Sequence, residues 1–124
     1  MINYISDLMK EVKKVVPKDI LVTTTYPDTN IVPIVILYES DQIGIFKCNE
    51  YEHASSTVMI EIYAKDIATR NELRLSIDKT MLDLRFELVK KEDIDNDPIY
   101  VSKLTYQCEL IQRNDSVHIY NSKK

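Results

Sequence analysis

Three groups of side chains in this sequence have types and spacings that chemistry uses. Asp93, Asp95 and Asp97 follow the D-x-D-x-D spacing that opens a calcium loop. Such a loop also needs glycine at its sixth position and a bidentate glutamate at its twelfth, where this chain has Pro98 and Leu104. The run EDIDNDP is therefore expected to be a solvated acidic turn. Cys48, His53, Cys108 and His118 are the ligand types that zinc takes, but they lack the short paired spacings of structural zinc sites. Cys48 and His53 are close enough in sequence for a nucleophile and its base. The pattern offers no third group to orient the imidazole and no helix N-terminus to lower the thiol. Cys108 shares its strand face with apolar residues and reads as a small core side chain.

The remaining charges point to structure. Glu61 sits mid-strand, where a cross-strand cation such as Lys103 fits beside it. Arg70, Arg74 and Arg85 lie along one side of an expected helix, where a phosphate-binding ridge is conceivable. Asp66 and Asp78 stand four residues from Arg70 and Arg74, the spacing of helix ion pairs, and that reading is preferred. Gly44 is the lone glycine in 124 residues. Phosphate-cradling loops, dinucleotide fingerprints and nucleophile elbows rely on glycine, so none of them can be built here in standard form. No catalytic, cofactor-binding or metal-binding residue is therefore assigned.

The bulk numbers narrow the class further. The length suits a single domain, 1–124. Lys and Arg number 16 against 20 Asp and Glu, a net charge of −4, which disfavours a main task of gripping nucleic acid. Two cysteines do not make a disulfide framework at this length, and reduced thiols in a cytosolic setting are expected. The N-terminal stretch lacks a signal-like apolar run, and nothing approaches the roughly 20 apolar residues of a membrane span. A soluble chain without membrane contact is expected.

The elements that position these residues centre on Thr57–Arg85. Val58, Ile60, Ile62 and Ala64 alternate with Met59, Glu61, Tyr63 and Lys65, a strand signal. Asp66 then stands at an N-cap, followed by a helix of about five turns. Leu73, Ile77, Met81 and Leu84 fall on one helix face. Ala68, Leu75 and Leu82, spaced seven apart, fall nearly opposite. A surface helix needs one apolar face, so this second stripe requires a cover, either another element of the chain or another subunit.

Around this centre, Ile2–Val16 reads as an amphipathic helix stopped by Pro17, with Ile5, Leu8, Met9, Val12 and Val16 inward. Asp19–Tyr26 and Ile31–Glu39 read as strands. Ser40–Ser56 reads as a long loop whose Ile43, Ile45 and Phe46 are too apolar for solvent; they form a short extra strand or insert into a neighbour. Phe86–Lys91 and Ile99–Gln112 complete the strands. The tail from about 113 either adds a short strand or frays, and a flexible tail is the working expectation. The expected fold is α+β: a single mixed or antiparallel sheet of about five strands with two helices, ordered α-β-β-(long loop)-β-α-β-β.

On these motifs the chain resembles the tail-completion, or tail-terminator-like, proteins of tailed bacteriophages. Glu52, His53 and Ala54 resemble their E-x-H-small motif after a long loop, without the intervening residue, and Ile62, Tyr63, Ala64 and Lys65 match the step that ends the next strand. Leu84, Arg85 and Phe86 match the step out of the helix, with arginine where the family has glycine. Ile99, Tyr100 and Tyr106 match the last strand, with Val101 where arginine is common. The resemblance implies a non-enzymatic virion protein forming a homo-oligomeric ring, typically a hexamer. The ring caps the completed tail tube and offers a surface to a head-completion or connector protein. DNA passes through without specific binding. Such a protein resides in the host cytoplasm during assembly and then in the virion tail. Ala68, Leu75 and Leu82 are expected to form one subunit contact, and Ile43, Ile45 and Phe46 part of another. Two rivals remain: a small host or prophage α+β interaction or regulatory domain that dimerises, and a metal-dependent nuclease using Asp66, Asp78 and the Asp93–Asp97 run.

Overall fold

The computed structural model describes residues 1–27, 31–48, 51–113 and 116–120. The elements run α1 (Ile5–Val15), β1 (Leu21–Thr23), β2 (Ile34–Cys48), β3 (Tyr51–Ala64), α2 (Ile67–Asp83), β4 (Glu87–Asn96), β5 (Ile99–Arg113) and β6 (Ser116–Tyr120). They make a single six-stranded sheet with two helices, an α+β fold. The strand order is β1-β2-β3-β5-β4, and β6 also pairs with β5. The sheet is mixed: β1 lies parallel to β2, and every other pairing is antiparallel. β4 and β6 occupy one edge of β5 in succession, opposite Ile99–Gln107 and Glu109–Arg113 respectively.

Both helices pack on one face, and alternation along the strands dictates which side chains meet them. Val35 and Leu37 of β2, Val58, Ile60 and Ile62 of β3, and Leu104, Tyr106 and Leu110 of β5 join Leu8 and Val12 of α1 and Leu73, Ile77 and Met81 of α2 in one core. α2 starts where expected because the Asp66 carboxylate accepts the Thr69 N–H at 2.7 Å, a side-chain N-cap. It ends with paired backbone bonds, Phe86 N–H to Met81 C=O at 2.9 Å and Arg85 N–H to Leu82 C=O at 3.0 Å. That is a Schellman closure, and it places Arg85 at φ 77°, a left-handed conformation that glycine adopts at least cost. Phe86 and Met81, which flank the closure, are both buried.

Four segments differ from the sequence-based expectation. The expected long loop 40–56 is mostly strand: β2 and β3 form one long hairpin with irregularities at Ser40 and Ile45. The expected acidic turn EDIDNDP is mostly the end of β4, with only Asp97 and Pro98 left to turn into β5. The Thr-rich run Asp19–Tyr26 pairs over three residues, Leu21–Thr23, against Ile34–Ile36. The outer edge of β2 beyond Ile36 therefore has no strand partner among the described residues. Ser116–Tyr120 takes the strand alternative for the tail, paired with Glu109–Arg113; residues 121–124 lie outside the described residues.

Candidate subunit interface

The two predicted contact patches are exposed apolar surfaces of the chain. α2 beds Leu73, Ile77 and Met81 on the sheet, each at most 4% exposed. With 3.6 residues per turn, the opposite side of the helix then points away from the sheet. Ala68 is exposed there, and Leu75 and Leu82 are 68% and 47% exposed. No described element of the chain covers this stripe. At the far end of the β2–β3 hairpin, Ile43, Ile45 and Phe46 are 60%, 52% and 53% exposed. The Phe46 ring packs on Tyr51 with centroids 5.6 Å apart.

Strand register fixes which way the hairpin patch faces. Ala54 and Ser56 are buried on the helix-covered face. Their neighbours His53 and Ser55 therefore belong to the opposite face, since side chains alternate. Ile43 pairs with Ser55 and Phe46 with His53, so both belong to the helix-free face. The stripe on α2 and the hairpin patch thus face in opposite directions.

The helix-free face is closed at its other end by a polar cluster that the sequence pattern did not reveal. Glu61 is 2% exposed, and its carboxylate accepts three tyrosine hydroxyls. Tyr26 reaches both oxygens at 2.6 Å, Tyr63 donates to Oε1 at 2.6 Å, and Tyr38 donates to Oε2 at 2.8 Å. Lys103 is the cross-strand neighbour of Glu61, as expected, but the direct bonds belong to the tyrosines. Burial acts to raise the Glu61 carboxyl. The hydrogen bonds from Tyr26, Tyr63 and Tyr38, with the Lys103 charge, outweigh it and hold the group below the usual range. Reciprocally, burial and the Glu61 carboxylate push the Tyr63 hydroxyl up to about 12. Tyr26 and Pro27, with Ile31 and Val32, flank a groove of about 210 Å³ over Ile34 and Ile36. Ile34 and Ile36 are at most 3% exposed, which explains why β2 begins as an almost unbroken apolar run. Tyr63, two residues from Glu61 on the same face, was the legible partner; Tyr26 and Tyr38 carry no such signal.

The other chemical groups disperse. Two carboxylates of β4 pair with α2: Arg70 bonds Asp95 and lies 4.0 Å from Asp93, and Arg74 reaches Asp93 at 2.6 Å. Asp66 caps its helix, and Asp78 accepts the buried Tyr106 hydroxyl at 2.7 Å. The expected pairs of Arg70 and Arg74 with Asp66 and Asp78 are therefore replaced by pairs with β4. Burial is set against Ser102, Arg74 and Arg70 at Asp93, and the carboxyl ends lower than usual. Cys48 is exposed at the hairpin end. Cys108 is buried on the helix-covered face, where burial pushes its thiol up to about 12. His53 and His118 sit in one row on either side of Ile111, with Glu109 3.8 Å from the His53 ring. No three His, Cys, Asp or Glu side chains converge as a metal site among the described residues. Among them, too, no helix is long and apolar enough to cross a membrane.

Comparison with protein-family models and with curated protein sequences finds no match to this chain.

Proposed function

We propose that this protein is a structural subunit of a homo-oligomeric ring that caps a bacteriophage tail tube and contributes to the head–tail joint. The observation that carries the reading is the pair of bare apolar patches, Ala68–Leu75–Leu82 and Ile43–Ile45–Phe46, on opposite faces of one chain. A closed ring needs two different patches per subunit, whereas a two-fold dimer uses one self-complementary patch. Each large apolar side chain left in water forgoes about 1.5–3 kcal/mol of burial, so surfaces of this kind mark contacts.

A second feature supports the family resemblance. Arg85 occupies the position where that family carries glycine, and its backbone is left-handed, the conformation for which glycine is chosen. The contact patches are separate from the polar cluster around Glu61, whose hydrogen bonds are satisfied within the chain.

The test is solution mass by light scattering on a sizing column, for the wild type and for Leu75→Asp/Leu82→Asp, followed by electron microscopy of tail tubes mixed with each. The expected result is a ring-sized wild-type particle seated at tube ends, and a double variant that is monomeric with unchanged circular dichroism. A monomeric wild type at high concentration rejects the ring. A ring that ignores tube ends rejects the cap while leaving the ring in place.

A further inference from the structure

Resting on the ring reading, we propose that adjacent copies join edge to edge: the free edge of β2 over Ile43–Cys48 in one copy pairs antiparallel with the free edge of β6 in the next, so that one sheet runs through the ring. The partner of each edge is a second copy of this chain, and the contact is made by backbone N–H and C=O groups.

Strand polarity and register carry the assignment. Beyond Gln42 the sheet is four strands wide, β2-β3-β5-β6, and every pairing in it is antiparallel. Four alternating strands leave the outer two, β2 and β6, antiparallel to each other. A neighbour in the same orientation therefore sets its β6 against β2 with the alternation unbroken. The two edges also share rows. Phe46, His53, Ile111 and His118 are successive neighbours across the sheet, as are Cys48, Tyr51, Arg113 and Ser116. Rotation about an axis running along the strands keeps these rows level. The contact uses two different edges, so it propagates from copy to copy and closes as a ring.

Both edges are open among the described residues. β1 covers β2 only at Ile34–Ile36, and β6 pairs with β5 alone. The N-terminus comes near but takes side chains: Ile2 bonds the Gln42 side-chain amide through its own N–H and C=O, and the Met1 ammonium lies 3.2 Å from Glu52. An open edge is a template for another strand unless charged side chains guard it. β4, the other long edge, exposes Lys90, Lys91, Glu92, Asp93 and Asp95. Ile43–Phe46 and Ser116–Tyr120 carry no Lys, Arg, Asp or Glu. The chain thus guards one edge and leaves unguarded the two that match. The extra residue at Ile45 bends β2 and raises its local twist, in the manner that curves a sheet toward closure.

Cys48 and Ser116 share a row, which makes the pairing directly testable. Within one chain they stand three strand spacings apart, about 14 Å, too far to bridge. Across the proposed junction they are cross-strand neighbours within disulfide range. Ser116→Cys and His118→Cys, both at exposed positions, are oxidised under mild conditions, each with and without Cys48→Ser, and run on non-reducing gels. His118→Cys covers a register shifted by two residues. Light scattering and circular dichroism are recorded before oxidation. The expected result is a ring-sized mass, unchanged circular dichroism and, at one or both positions, a ladder of dimers, trimers and higher species that disappears in the Cys48→Ser background. A product that stops at dimers, or that persists without Cys48, overturns the head-to-tail pairing. A ring-sized mass with no Cys48-dependent ladder at either position overturns the edge pairing and leaves the ring reading intact. A monomeric mass rejects both.

Discussion

The β2–β3 hairpin has two ends that share strands, pairing and a comparable supply of apolar residues, yet they meet opposite fates. At one end, Ile34–Leu37 and Val58–Ile62 are covered by helices on one face and by Tyr26, Pro27, Ile31 and Val32 on the other. At the other end, Ile43, Ile45 and Phe46 extend past both covers. Whether an apolar strand residue becomes core depends on what the rest of the chain brings over it. The uncovered end keeps its apolar side chains at the surface.

The sharpest way to break this comparison is to make one truncation at each end. Ile60→Ala removes a fully buried side chain beneath α2 and is expected to cost about 2–5 kcal/mol in urea denaturation. Ile43→Ala, in the same sheet, is expected to change the stability of the monomer by no more than about 0.5 kcal/mol. Equal losses at the two sites would mean that the hairpin end is packed within the protomer after all.

A smaller effect comes from the cluster that closes the covered end. Glu61→Ala leaves three hydroxyls without their acceptor and is expected to cost about 2–3 kcal/mol. The cluster also predicts pH dependence at both extremes. The Glu61 carboxyl is held low in the fold, so its stabilisation is present above the ordinary carboxylate range and is lost as acid titrates it through its depressed value. Tyr63 is raised from 10.0 to about 12. Its stabilisation is complete below pH 10 and is lost as the pH climbs through about 12. Denaturation midpoints measured from pH 9 to 12 should fall less steeply in Glu61→Gln than in the wild type, because burial still raises Tyr63 but the Glu61 charge that adds to it is gone. Parallel curves would detach the cluster from alkaline stability.

The smallest expected change is a gain. Arg85 holds φ 77° at the end of α2, where a non-glycine residue costs about 1–2 kcal/mol. Arg85→Gly should recover about 1 kcal/mol in the denaturation midpoint, net of the extra freedom glycine gives the unfolded chain. A loss would show that the arginine side chain contributes contacts that outweigh the backbone cost.

Much of the covered region was legible in the sequence because its signals are local. The Asp66 cap, the inward face of α2 and the alternation from Val58 to Ala64 each reside within a few residues. What escaped depends on partners far along the chain. EDIDN reads as a solvated turn until Arg70 and Arg74 arrive from α2 to neutralise it. Ser40–Ser56 reads as a loop until its two halves pair with each other and with β5. Tyr26 lies 35 residues from Glu61 and Tyr38 lies 23 away, so no periodicity could join them. The α2 stripe was visible as a surplus apolar face, but only the fold shows that the described residues leave it open.

The pattern of strand neighbours also sets how the chain folds. Four of the five pairings join strands consecutive in sequence, and only β3 with β5 spans an intervening helix and strand. Short loops close with little loss of chain entropy. The β2–β3 and β4–β5 hairpins can therefore form as separate local units before the one long closure that brings β5 beside β3. α2, the segment between them, is laid on the sheet at that step. The outer face of that helix, with Leu75 and Leu82 exposed on it, is thus fixed in place only when the two halves of the sheet meet, which delays the display of that apolar stripe until the fold is nearly complete.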